Sequence, residues 1–184
     1  MKIGIFPGSF NPPTKAHFEI VDLLYNKKIL DKIIFIPVKN NGKDLISLEH
    51  RINMLKFYTN DNSYLEVSSV MINYSKFNYQ VLGEFNDDLY IIVGSDLLKR
   101  FHTFDNYQMM LEKYKFIIVN RDDDVNSLIE KYYYNYQDKF IVIEYCNQLS
   151  STLVREYINS DMVSEMIDNR VLDYIRENKL YKDE

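Results

Sequence analysis

Six short apolar runs punctuate the chain, at 2–6, 32–37, 65–70, 89–93, 115–119 and 139–143. In three of them the apolar residues are continuous: Ile33-Ile34-Phe35-Ile36, Tyr90-Ile91-Ile92-Val93 and Phe116-Ile117-Ile118-Val119. Alternation marks a strand with one wet face, whereas a continuous run suits a strand covered on both faces, as in parallel sheets. Between the runs the spacing turns helical. Phe18, Val21, Leu24 and Tyr25 follow the first run, and Ile52, Met54 and Leu55 follow Ser47, a capping residue with Glu49 in the favourable first turn. Ser127 opens a further helix through Leu128, Ile129 and the tyrosines beyond. Strands alternating with helices predict right-handed βαβ units and an α/β fold, a doubly wound, mainly parallel Rossmann-like sheet with ligands at the carboxyl ends of its strands. After 143 the alternation stops. The remainder reads as helices at 150–159 and 168–178, the second with Val171, Leu172 and Ile175 on one side. At 184 residues the chain suits one domain, 1–184, with a C-terminal helical part at about 150–184.

Composition narrows the function classes. With 46% hydrophobic and 27% charged residues the chain is ordinary for a globular protein. A net charge of -5 and a pI near 5.3 provide no bulk basic field for long nucleic acid, though a local pocket can still take a small anion. The single cysteine, Cys146, excludes an internal disulfide framework, fits a reducing compartment and is expected as a buried thiol. No charged leader precedes the first strand and no run reaches about 18 apolar residues, so a cytoplasmic protein with no membrane partner is expected. The run Asp122-Asp123-Asp124 reads as a solvated loop, because consecutive residues do not share a face, and no metal site is assigned to the protein. A homo-oligomer is left open.

Chemistry concentrates where strands end. Gly8-Ser9-Phe10-Asn11-Pro12-Pro13-Thr14-Lys15-Ala16-His17 joins the first strand to the first helix. A glycine there lets the backbone pass close to an anion, and N–H groups at the helix start point toward it. His17 stands one turn beyond Thr14 on the same face, since residues three apart are helical neighbours. Gly94-Ser95-Asp96 closes the fourth strand and brings a carboxylate within reach of ribose hydroxyls, and Asn120-Arg121 closes the fifth. Ser150-Ser151-Thr152 stands at a helix start with Arg155 three residues on, a second phosphate-grade arrangement. Two such arrangements in one α/β domain can hold both ends of a triphosphate. The residues by themselves therefore read as a nucleotide-handling enzyme.

The segment 8–17 resembles the signature G-x-F-[DN]-P-x-[HT]-x-G-H of the nucleotidyltransferase superfamily, and 150–155 resembles its later S-S-T-x-x-R. Within it the chain is similar to the nicotinate/nicotinamide mononucleotide adenylyltransferases. Gly94-Ser95-Asp96-Leu97-Leu98, the segment 49–55 and the ending at 171–181 carry that similarity. The resemblance implies transfer of the adenylyl group of ATP to a pyridine mononucleotide in NAD biosynthesis, with Mg²⁺ bridging the leaving pyrophosphate. It implies His17, Thr14 and Arg155 as catalytic, with Gly8, Ser9, Phe10, Lys15, Ser151 and Thr152 on ATP. It places Gly94, Asp96, Lys43, Phe104, Tyr107 and Arg121 on the mononucleotide, and gives Lys39 a phosphate contact.

Three departures bear on substrate choice. Thr14 replaces the histidine usual in bacterial nicotinate enzymes, Ala16 replaces glycine, and the tryptophan expected after the G-x-D segment is absent, leaving Phe104 or Tyr107 to stack on the pyridine ring. A threonine at that position is found in nicotinamide mononucleotide enzymes and in phosphopantetheine adenylyltransferases, and the latter form the nearest enzymatic rival. A cytidylyltransferase fits the later signature less well, and a nucleotide-sensing module on the same fold is the non-enzymatic alternative.

Overall fold

All six apolar runs form strands in the computed structural model, which describes residues 1–39, 45–85 and 88–181. They are β1 Lys2–Gly8, β2 Lys32–Pro37, β3 Leu65–Val67, β4 Asp88–Gly94, β5 Lys115–Asn120 and β6 Phe140–Glu144. One sheet contains them in the order β3-β2-β1-β4-β5-β6, and every neighbouring pair is parallel. The continuous runs are explained by cover on both faces. Ile5, Ile91 and Ile118 point into one apolar cluster, while Phe35, Ile92 and Ile117 point into the other.

Nine helices are described: α1 Lys15–Asn26, α2 Leu48–Thr59, α3 Tyr79–Leu82, α4 Leu98–Phe101, α5 Tyr107–Lys113, α6 Val125–Tyr133, α7 Ser151–Glu156, α8 Val163–Met166 and α9 Asn169–Glu177. Val21 and Leu24 of α1 and Leu55 of α2 cover one face of the sheet; Leu111 of α5 and Ile129 of α6 help cover the other. From β1 the chain winds outward through β2 to β3, then re-enters at β4 beside β1 and winds the opposite way. The carboxyl ends of β1 and β4, at Gly8 and Gly94, therefore flank the point where a doubly wound sheet opens a crevice.

The C-terminal helices build a core of their own. Val154, Val163, Ile167, Val171, Leu172 and Ile175 close around Met54 of α2. No helix among the described residues is long and apolar enough to cross a membrane.

Several local expectations change. β3 ends at Val67 rather than 70, because Ser68 Oγ accepts the Val70 N–H and the chain turns into a 3₁₀ segment at Val70–Asn73. α6 is capped by Asp124, which accepts the Ser127 N–H at 3.1 Å, so Ser127 lies inside the first turn rather than opening it. The acidic run is thus only partly a solvated loop: Asp124 caps, and Asp123 pairs with Lys99 at 2.6 Å. Cys146 is exposed, not buried, since it lies just past the edge strand β6, where the sheet has ended.

Candidate active site

The turn after β1 is built on an aromatic ring. Phe10 has φ 47°, a left-handed backbone, and its ring is 1% exposed, packed against Phe6, Phe35 and His17 at 5.6, 5.3 and 5.1 Å between centroids. A Cβ placed on Gly8 would come within 2.7 Å of that ring. The glycine is therefore required by Phe10 as well as by any anion. Only the Phe10 backbone is left for a ligand, because its side chain belongs to the core.

Thr14 caps α1 and sets the chemistry of His17. The Thr14 backbone N–H donates to His17 Nδ1 at 3.0 Å, and Thr14 Oγ1 stands 2.8 Å from the same nitrogen. A backbone amide can only donate, so Nδ1 is the unprotonated nitrogen and the neutral ring carries its proton on Nε2. Burial first, and the Arg121 guanidinium second, push the His17 pKa down to about 4. Thr14 itself is wholly buried, so it acts on His17 rather than facing a cavity.

The two signature segments, far apart in sequence, are hydrogen-bonded to each other. Ser150 caps α7 through the Leu153 N–H. Ser151 Oγ donates to the Pro12 carbonyl at 2.7 Å, and Arg155 donates to the Asn11 carbonyl at 2.7 Å and to Thr152 Oγ1 at 3.3 Å. Lys15 is directed elsewhere, its ammonium donating to the Ser164 carbonyl at 2.9 Å. None of the side chains of Lys15, Ser151, Thr152 and Arg155 lines the cavity that holds His17.

Three residues given no role by sequence reasoning complete the frame. Arg51, 2% exposed, donates to the carbonyls of Ser9, Val38 and Ile46 at 2.8, 2.8 and 3.1 Å. Asn11 Oδ1 accepts from the Tyr181 hydroxyl at 2.8 Å and from the Ile46 N–H at 3.4 Å. Arg51 was findable: it stands three and four residues before Met54 and Leu55, on the buried face of its helix. Asn11 and Tyr181 meet only through the fold.

Two cavities flank the β1–β4 crevice. One of about 420 Å³ is lined by His17, Asp96 and Arg121, with Gly8, Phe10 and Gly94 in its wall. The other, about 340 Å³, is lined by Lys39, Arg100 and Phe104 among apolar side chains. They share Phe6, Pro7 and Gly94, so one wall serves both. A Cβ on Gly94 would lie 2.6 Å from Asp96 Oδ1, so a side chain there would displace the Asp96 carboxylate from its present position. Asp123, also at the larger cavity, is held below the usual carboxylate range by Lys99 first and Ser95 second. Tyr107 lines neither cavity, because its ring packs on Phe101 and Tyr133 at 6.0 and 6.4 Å. Lys43 lies outside the described residues.

Comparison with known proteins gives the family of the chain. The cytidylyltransferase-like family model matches residues 5–157. A protein of Acholeplasma laidlawii named "Probable nicotinate-nucleotide adenylyltransferase" is 33% identical, with 97% of each chain covered. One of the same name from Endomicrobium trichonymphae is 32% identical over 98% of this chain and 99% of its own. The fold matches the solved nicotinic acid mononucleotide adenylyltransferase of Plasmodium falciparum, in complex with NaAD, at a TM-score of 0.82 and 24% identity, covering 98% of this chain and 97% of that one. On this sequence similarity the chain belongs to the cytidylyltransferase-like family and, within it, to the nicotinate-nucleotide adenylyltransferases.

Proposed function

We propose that the protein transfers the adenylyl group of ATP to nicotinate mononucleotide, releasing pyrophosphate, as one nucleotidyltransferase domain spanning 1–184 and acting in the cytoplasm in NAD biosynthesis. The observation that carries this reading is the pair of cavities meeting at Gly94 and Phe6, one with the His17 imidazole and one with an aromatic wall and two cations. Such a pair suits two nucleotides whose phosphates meet at the shared wall.

The mononucleotide phosphate is already ionised, so its oxygen attacks the α-phosphorus without a general base, and the bond to the bridging oxygen of pyrophosphate breaks in line. Catalysis then consists of positioning and charge stabilisation. Neutral His17 donates its Nε2 proton in a hydrogen bond to the phosphates and keeps it. Arg121 adds positive charge in the same cavity, and Asp96 accepts from a ribose hydroxyl. Arg155, Ser151 and Thr152, anchored on the turn that precedes α1, hold the β,γ end. Magnesium enters as MgATP. Magnesium of this kind is held chiefly by the substrate phosphates.

Pyrophosphate release from MgATP tests the reading, with nicotinate mononucleotide, nicotinamide mononucleotide and phosphopantetheine run in parallel. Turnover with a pyridine mononucleotide is expected. Release only with phosphopantetheine, or ATP binding without turnover on any acceptor, would move the protein to the rival enzyme or to a sensor.

A further inference from the structure

We infer that Arg100 is the specificity-determining residue that selects the carboxylate of nicotinate over the amide of nicotinamide, an inference that rests on the proposed reaction. The two cavities differ in charge. The larger is lined by two carboxylates, Asp96 and Asp123, against one guanidinium, Arg121. The smaller is lined by two cations, Lys39 and Arg100, and by no carboxylate among the described residues. In a chain of net charge -5, an apolar cavity with cations alone at its wall is a local inversion. It favours an aromatic ligand that carries a negative charge.

Of the two cations, Arg100 is the better placed for the pyridine substituent. Lys39 donates its ammonium to the Ile72 carbonyl at 2.8 Å, which fixes it beside the 3₁₀ segment Val70–Asn73. Arg100 stands on α4, with its guanidinium 5.8 Å from the centre of the Phe104 ring. Phe104 is exposed, lines the same cavity and is its candidate stacking surface. A flat ring lodged against this wall has the guanidinium at its rim, where a carboxylate gains two charge-assisted hydrogen bonds and a neutral amide does not. Asp105, next to Phe104 in sequence, lines the adjoining hollow with Lys76, and Asp96, four residues before Arg100, lines the larger cavity.

The test compares kcat/KM for nicotinate and nicotinamide mononucleotides with saturating MgATP, in the full chain and in Arg100→Gln and Arg100→Lys. The native protein should prefer nicotinate. Arg100→Gln should lower the nicotinate-to-nicotinamide ratio by about tenfold, the scale of one partly screened charge, chiefly through the nicotinate KM. Arg100→Lys, which keeps the charge but not the two-pronged contact, should restore part of it. Arg100 is exposed, so its loss leaves the core intact, and thermal unfolding checks this. An unchanged ratio, or equal losses on both substrates, would overturn the inference and put Arg100 on the phosphate common to both. A native preference for nicotinamide would overturn it as well. Silence of the native protein with both mononucleotides would instead overturn the proposed reaction, and this inference with it.

Discussion

At the scale of single residues, His17 owes its chemistry to a backbone amide. With Nδ1 accepting from Thr14 and the pKa pushed down to about 4, the ring is neutral at pH 7 and offers Nε2–H to the larger cavity. A histidine titration followed by NMR should give a His17 midpoint near 4 and the Nε2-protonated tautomer; a midpoint between 6 and 7 would remove the neutral donor. The same shift makes stability depend on pH. Between the folded value of about 4 and the ordinary 6.5, the unfolded state binds the extra proton, so this contribution is complete above 6.5 and is lost as pH falls toward 4. His17→Ala should lower kcat about a hundredfold or more, since one preorganised donor is worth roughly 2–4 kcal/mol in the transition state. His17→Gln, which retains an N–H close to Nε2, should lose less. Equal turnover in native and His17→Ala protein would take His17 out of the reaction. The sequence placed His17 and Thr14 one turn apart. The direction of the hydrogen bond between them was not legible, because it depends on an amide at a helix cap whose geometry only the fold supplies.

Among the elements, the turn between β1 and α1 couples packing to chemistry. Gly8 has no room for a methyl because the Phe10 ring is held on three sides by Phe6, Phe35 and His17. Gly8→Ala should therefore cost about 1–3 kcal/mol of stability, the usual range for overpacking, and should reduce turnover as the ring pushes on His17. Thermal unfolding and the pyrophosphate assay read the two effects; an unchanged midpoint would show that the turn yields. Elements with strong periodicity were legible. The three continuous runs became central, doubly covered strands, and Ser47, Ser150 and Asp168 cap the helices that begin after them. The failures are at ends. Asp124 and Ser127 are both good caps, and spacing alone does not choose between them. β3 stops where a serine hydroxyl captures the backbone, and Cys146 is exposed because β6, as an edge strand, has no neighbour to cover the residues beyond its end.

For the whole molecule, function depends on contacts between segments that no local pattern joins. The turn after β1 is held by Arg51 of α2, by Ser151 and Arg155 of α7, and by Tyr181 beyond α9. The paired phosphate-grade motifs could be read from the sequence, but their joining through the carbonyls of Asn11 and Pro12 could not, since backbone acceptors leave no mark in the residue types. Tyr181 is the sharpest case. Its hydroxyl donates to the Asn11 side chain, burial pushes its pKa well above the ordinary range, and the Asn11 carbonyl in turn receives Arg155. Tyr181→Phe removes one hydrogen bond and keeps the ring, so stability should fall by only about 1 kcal/mol. Asn11 would retain only the longer bond from Ile46, and the seat of Arg155 would loosen. The KM for ATP should then rise several-fold, while the KM for the mononucleotide, bound across the shared wall, changes less. A purely structural tyrosine would move the unfolding midpoint and leave both KM values alike. A selective loss for ATP would instead show that a tyrosine beyond the final helix positions the motif that begins at Gly8.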